Sequence, residues 1–168
     1  FGATATRAAE TLTIPAANIP ANTTAMSIAM SGMVTYADGG NVVEVRPFYW
    51  ALDGSNRIQT YIDTSGANTG KIVFQQQSVG VADYALSATD ALAAGINVPF
   101  SIASRHGSTF INGAVSGTAL TADTTPTSLP DLSTTDLSLG YTFNGYISDF
   151  RVWGDDIGDA GIAAAEVT

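Results

Sequence analysis

The sequence predicts a single all-β domain of short antiparallel strands, arranged as a sandwich or barrel. Three observations carry this. Runs of strand length alternate apolar with polar residues along most of the chain. Clusters of Gly, Asn, Asp and Pro punctuate those runs at near-regular intervals, as closed or two-sheet β architectures require. No unit repeats at the period of a solenoid or propeller. At 168 residues the chain suits one domain and is short for two. A domain of this size buries roughly 70% of its unfolded surface, so it needs no disulfide or metal to hold a core. Residues 1–168 are therefore read as one domain. Phe1 is no start residue and no leader pattern follows it, so the domain is expected to be part of a longer or processed chain.

Residues 26–36 place Met26, Ile28, Met30, Val34 and Tyr36 on one face and Ser27, Ala29, Ser31 and Thr35 on the other. Asp38-Gly39-Gly40-Asn41 marks the turn after them. Residues 42–52 form the next run, with Val43 and Val45 flanking Glu44, and Phe48, Trp50 and Leu52 sharing a parity that assigns them to the core. Pro47 within it predicts an edge, a bulge or a break. Asp53-Gly54-Ser55-Asn56 turns the chain into an alternating run from Arg57 to Ile62, and the pair reads as a hairpin. Further strands are expected at 71–77, 98–104, 108–112, 114–118 and 136–140. Asn112-Gly113 supplies the residues of a type I′ turn, which predicts a hairpin over 108–118. Residues 85–94 are Ala-rich and compatible with a helical turn, while 121–135 read as a long surface loop. In 146–153, Ile147 and Phe150 share a face only if a bulge intervenes near Ser148-Asp149. A short helix should follow from Gly158 or Asp159 to Glu166, with one of those two as its cap.

Composition excludes several function classes. Six basic against fifteen acidic residues give a net charge of −9, with Lys71 the only lysine. Neutralising a phosphate backbone or an anionic lipid surface needs clustered Lys and Arg, so neither nucleic acid nor membrane is an expected partner. No segment approaches the roughly 18 apolar residues of a membrane span. With no cysteine there is no disulfide scaffold, thiol chemistry or zinc–thiolate site.

The ending Phe143-Asn144-Gly145-Tyr146-Ile147-Ser148-Asp149-Phe150-Arg151-Val152-Trp153, with a short helix after it, resembles the closing strand of concanavalin A-like lectin/glucanase domains of the laminin-G type. Val98-Pro99-Phe100-Ser101-Ile102-Ala103-Ser104 followed by Thr109-Phe110-Ile111-Asn112-Gly113 is similar to their paired strands. The opening Ala5-Thr6-Arg7-Ala8-Ala9-Glu10-Thr11-Leu12-Thr13-Ile14 resembles the entry to such domains in bacteriophage tail and fibre proteins. The resemblance spans the chain and implies an antiparallel two-sheet jelly-roll sandwich whose rim loops are open to ligands. It also implies an acidic residue where Gly161 stands, so the terminal helix is expected to be short.

The glucanases of this family carry an acidic-x-acidic-x-acidic run on one strand, and retaining hydrolysis needs two carboxylates about 5–5.5 Å apart. Here the glutamates are Glu10, Glu44 and Glu166, with no such run, and the adjacent Asp155 and Asp156 would point to opposite faces of a strand. His106, the only histidine, has no nucleophile elbow to serve and reads as a turn residue between strands. No catalytic residue is assigned, and the chain is expected not to be an enzyme. Asp38, Asp53, Asn56, Asp155 and Asp156 offer oxygen ligands without the spacing of a calcium loop. Solvated turn residues are the favoured reading, and no cofactor or metal is assigned.

Sugar recognition combines an aromatic face with amides and carboxylates for hydroxyls. Tyr49 as an outer-face ring, Asp53, Ser55 and Asn56 in one turn, His106 in another, and Trp153 beside the terminal strand are the candidate ligand residues. Tyr49 and Trp153 are open between stacking and packing. The expected role is a non-enzymatic virion module, in a tail fibre, spike or head appendage, that binds host-surface glycan or other virion proteins. The alternative is a carbohydrate-binding adhesive module of a secreted bacterial protein. Oligomerisation is left open, since no heptad seam is present.

Overall fold

The computed structural model describes residues 12–20, 24–39 and 44–165. The opening run before Leu12, the Gly40–Val43 stretch and Glu166 lie outside the described residues. The strands are β1 (Leu12–Ile14), β2 (Ala25–Tyr36), β3 (Glu44–Asp53), β4 (Asn56–Asp63), β5 (Ile72–Ser78), β6 (Val81–Leu86), β7 (Gly95–Gly107), β8 (Ile111–Val115), β9 (Thr118–Ala119), β10 (Leu137–Leu139) and β11 (Gly145–Trp153), followed by helix α1 (Gly158–Ala164). They form two antiparallel sheets, one of six strands in the order β1-β10-β3-β4-β5-β6 and one of five in the order β11-β2-β7-β8-β9. The expected two-sheet sandwich with a short terminal helix is what the chain adopts.

The core lies between the sheets. Met26, Ile28, Met30, Val34 and Tyr36 of β2 meet Phe48, Trp50, Ile58, Ile62, Ile72 and Phe74 of the opposite sheet, the inward set that period-two alternation assigns. Burying each such side chain stabilises the fold by about 1.5–3 kcal/mol. The buried Trp50 indole satisfies its N–H by donating to the Thr135 carbonyl at 2.7 Å.

The bulge near Ser148 is present. Ile147 pairs with Gly32 and Asp149 with Ser31, leaving Ser148 outside the ladder. Ile147, Phe150 and Val152 accordingly all pack against the core. Pro47 sits at a second register shift, between Val45 and Phe48.

The outer face of the five-stranded sheet explains how α1 docks. Ala29, Ala103, Ala114 and Ala119 stand in register across β2, β7, β8 and β9. These small side chains let the helix approach, and Ile162 packs on Ala29, Ala103 and Ala114 with no exposed surface. Ile157 fills the space beside Gly161, where a Cβ would stand 2.7 Å from it. Arg105 fixes the helix start, donating to both carboxylate oxygens of Asp156 at 2.8 Å and to Asp159 at 2.6 Å.

Five local expectations are corrected. Asn112-Gly113 is not a turn but the middle of β8; Gly113 faces inward, where the Phe74 ring takes the place of a side chain. The turn lies at Ser116-Gly117, both with positive φ, and the strands of that hairpin are 111–115 and 118–119. Leu52 is 56% exposed, because a register shift between Ala51 and Asp53 breaks the parity it shared with Trp50. The segment 121–135 is more than a surface loop, since Leu129 and Leu132 enter the core. The helix cap is Ile157, without a side-chain bond; the orphan N–H of Gly158 is taken by Asp156 Oδ1 at 2.8 Å. Within 85–94, β6 runs to Leu86 and irregular chain follows, with no helical turn.

Candidate functional site

The outer face of the six-stranded sheet carries tyrosine, glutamine and arginine side chains from β3, β4, β5 and β6. Because Phe48, Trp50, Ile58, Ile62 and Phe74 point inward, the alternate residues of β3, β4 and β5 point outward. The register sets Thr13, Ser138, Tyr49, Gln59, Gln75 and Tyr84 in one row across all six strands. The next row contains Ala51, Arg57, Gln77 and Ala82. On the other side of the first row lie Tyr61 and Val73.

Aromatic rings and guanidinium groups roof this face. Tyr49 stacks on Tyr141, ring centroids 5.1 Å apart at 25°. The Arg46 guanidinium lies 5.4 Å from the Tyr49 ring and 5.3 Å from the Tyr141 ring, within cation–π reach of both. Glu44 is ion-paired with Arg46. Tyr61 is sunk beside this group. Burial pushes its phenol up, Glu44, Tyr84 and Asp63 add to that, and Arg46 partly offsets it. Tyr141 and Tyr84 remain exposed.

Beneath the roof, Gln59, Gln75 and Gln77 are buried although they face outward. Gln59 Nε2 donates to Gln75 Oε1, and Gln75 Nε2 donates to Gln77 Oε1 and to the Tyr84 hydroxyl, both at 3.3 Å. Gln59 Oε1, Arg46 Nε and Arg57 Nε have no hydrogen-bond partner. Buried polar atoms are nearly always satisfied. Three such orphans lie on this face, all of them shut off from solvent, while Tyr141 and Tyr84 stay exposed above them. The aromatic faces cover apolar ring surface, and the amides and guanidinium N–H groups address hydroxyls.

The residues singled out in the sequence are distributed unevenly around this surface. Tyr49 is at its centre. Asp53, Ser55 and Asn56 are together at the β3–β4 turn, but their polar atoms build the turn itself. Asp53 Oδ1 accepts from the Ser55 and Asn56 backbone N–H groups at 2.7 and 2.8 Å, which holds its carboxyl below the usual carboxylate range. Asn56 Oδ1 accepts from Val79 N–H at 3.0 Å and so ties this turn to the β5–β6 turn. His106 is not in a turn. It lies within β7, fully buried between the sheets, its Nε2 3.0 Å from Ser104 Oγ, and burial pushes its pKa down to about 3. Trp153 faces the other sheet's exterior and packs with Ile157 around Ile162, so it anchors the helix.

Sequence reasoning missed Arg46, Gln59, Tyr61, Gln75, Gln77, Tyr84 and Tyr141 as members of one surface. The available signal was the polar alternate positions 57-59-61 and 75-77 on adjacent strands, which become a face only when strands are paired. Among the described residues no group of three or more His, Asp or Glu is placed to hold a metal ion.

No protein-family model matches the chain, and no curated protein matches it. Solved structures share its fold. A Ruminococcus gnavus IT-sialidase CBM40 bound to α2,3-sialyllactose aligns with a TM-score of 0.61 at 12% identity, over 86% of this chain and 83% of that one. A heptameric SAP-like pentraxin from Limulus polyphemus aligns with a TM-score of 0.59 at 8% identity, over 85% and 71%. A botulinum neurotoxin type C structure, described as dependent on two ganglioside molecules for cell entry, aligns with a TM-score of 0.57 at 12% identity, over 84% of this chain and 35% of that one. The chain thus has a lectin-like jelly-roll sandwich fold.

Proposed function

We propose that the outer face of the six-stranded sheet is a glycan-binding platform and that the chain is an adhesive, non-catalytic module. The observation that carries this is the stacked Tyr49–Tyr141 pair bridged by Arg46, with the Tyr141 and Tyr84 rings exposed on the same face. The carbohydrate-binding module among the structural neighbours, bound to sialyllactose, supports the same use of this fold. Absence of catalysis rests on the sequence: no acidic-x-acidic-x-acidic run is present, and the one glutamate among the face's described residues, Glu44, is engaged by Arg46. The setting we favour is a virion surface, on the resemblance of the opening residues to phage tail and fibre domains; a secreted bacterial adhesin is the alternative. Recovery of the chain with purified virions or with a secreted adhesin decides between them.

The platform is tested on a glycan array, followed by titration of the best binder into Tyr141→Ala and Arg46→Ala. Each substitution should weaken binding about tenfold or more, since ring stacking and cation–π contacts contribute roughly 0.5–2 kcal/mol each and the pair is coupled through Arg46. Neither should release reducing sugar from the bound glycan, nor should the parent chain. Binding that survives both substitutions unchanged overturns the platform, and sustained turnover overturns the non-catalytic assignment.

A further inference from the structure

The opposite face of the sandwich holds a second feature, a groove of about 520 Å³ lined by residues including Ser31, Ser101, Ser116, Tyr146, Ser148 and Asp149. Its origin is a step in the five-stranded sheet. β7 runs from Gly95 to Gly107, but its pairing with β8 begins only at Ile102–Val115. Residues 95–101 of β7 therefore extend past the end of β8, and the Ser116 turn forms one wall of the step, donating its N–H to the Ser101 carbonyl at 3.1 Å. α1 and the segment leading into it cover the alanine row and, on one side of it, the Ser27–Arg105–Asn112 row. The adjacent row on the other side, Asp149–Ser31–Ser101, is left open and changes from methyl groups to hydroxyls and a carboxylate.

Two further features shape the groove for a ring. The row beyond the serines is Tyr146–Met33–Pro99, a flat apolar strip ending in a tyrosine that is 53% exposed. The bulge takes Ser148 out of the ladder, so its side chain and that of Asp149 line the groove together; bulges re-aim side chains in this way. β11 can lie this close because residue 32 is glycine, where a Cβ would stand 2.1 Å from the Tyr146 carbonyl oxygen.

We propose that this groove is a second saccharide site, taking one or two uncharged sugar rings, on the face opposite the tyrosine platform. Serine hydroxyls both donate and accept, and Asp149 accepts, which matches sugar hydroxyls. Asp149 is already neutralised by Arg151 at 2.8 Å, and among the described residues no lysine or arginine lines the groove, so an anionic ligand finds no counter-charge there. An added peptide strand is also poorly served. Ser101 directs its carbonyl toward the step, so residue 99 points its nitrogen the same way, and as proline it has no N–H to give. The volume falls within the range of small-ligand sites.

The test is a heteronuclear NMR titration with the methyl glycosides of glucose, galactose, mannose and N-acetylglucosamine. At least one should shift the amides of Ser101, Ser116, Tyr146 and Ser148 in a saturable, millimolar manner. Tyr146→Ala should weaken that binding at least fivefold. Ser148→Arg, at an exposed position outside the ladder, should block it while leaving the core amides of β2 and β7 unmoved. If no glycoside shifts the groove, or if both variants bind as the parent does, the second site is overturned. Because Tyr49 and Tyr141 report the platform separately, groove shifts without platform shifts support this site on its own, and platform shifts without groove shifts remove only this site.

Discussion

The Phe74 ring of β5 and the α-carbon of Gly113 in β8 share one space, for a Cβ added at 113 would stand 2.1 Å from the ring. The two sheets are keyed together at this point, and both residues are buried in opposite layers. Gly113→Ala should cost about 1–3 kcal/mol through overpacking, read as a lower urea midpoint. Combined with Phe74→Leu, which makes room, the loss should be smaller than the sum of the single losses. Strict additivity would show that the ring moves aside freely.

His106 makes stability depend on pH from about 6.5 downward, starting above the range in which carboxylates act. Its folded pKa is about 3 against an ordinary 6.5, so between those values the unfolded chain takes up a proton that the native chain refuses. Stability is therefore complete above about pH 6.5 and declines as pH falls toward 3, by at most about 1.4 kcal/mol per pH unit. Denaturant unfolding at pH 7 and pH 5 should show a drop of about 2 kcal/mol. His106→Asn should flatten that difference; an unchanged drop would assign it to other groups.

Val79 adopts φ 51° at the β5–β6 turn and is 83% exposed. A β-branched residue in the left-handed region is strained, and nothing is lost from the core by removing it. Val79→Gly should stabilise the domain by about 1 kcal/mol, seen as a melting temperature several degrees higher. No gain would mean that the Asn56 bond to the Val79 N–H already offsets the strain.

Arg105 grips α1 through Asp156 and Asp159, and Asn112 adds a bond to Asp159 at 2.8 Å. The Asn112 bond, then Arg105, hold the Asp159 carboxyl below the usual carboxylate range. Arg105→Lys keeps the charge and loses the fork that spans both oxygens of Asp156. Global stability should fall by about 1 kcal/mol or less, since the acidic partners are partly exposed. Hydrogen exchange at the Ile162 amide should accelerate at least tenfold. Equal acceleration throughout β2 would show global rather than local opening.

What the sequence revealed and what it concealed divide along physical lines. Alternation assigned the inward faces of β2 and β3, because period two is enforced by the chain itself. The bulge at Ser148 was legible for the same reason, as Ile147 and Phe150 fit one face only with an extra residue between them. Asn112-Gly113 misled because glycine serves two needs. A turn needs its positive φ, whereas β8 needs its missing side chain, and only the partner Phe74 tells which. His106 was misplaced with it, since moving that turn by four residues carries the histidine from a loop into the sheet. Of the candidate ligand residues, Tyr49 reached a plausible surface by parity. The glutamines and tyrosines around it come from β4, β5, β6 and the segment after β10, and no local pattern states which strands are neighbours.

The strand order has a consequence for how the domain is made. β10 lies between β1 and β3, and β11 completes the other sheet beside β2. During synthesis, then, neither sheet can close until residues 137–153 have left the ribosome. Until that moment the flanks of β2 and β3 stand open, offering unpaired backbone groups to any neighbouring chain. Such long-range pairing is slow to form. A nascent chain stopped short of β10 should therefore be held by chaperones or self-associate, and folding should complete in one late, cooperative step.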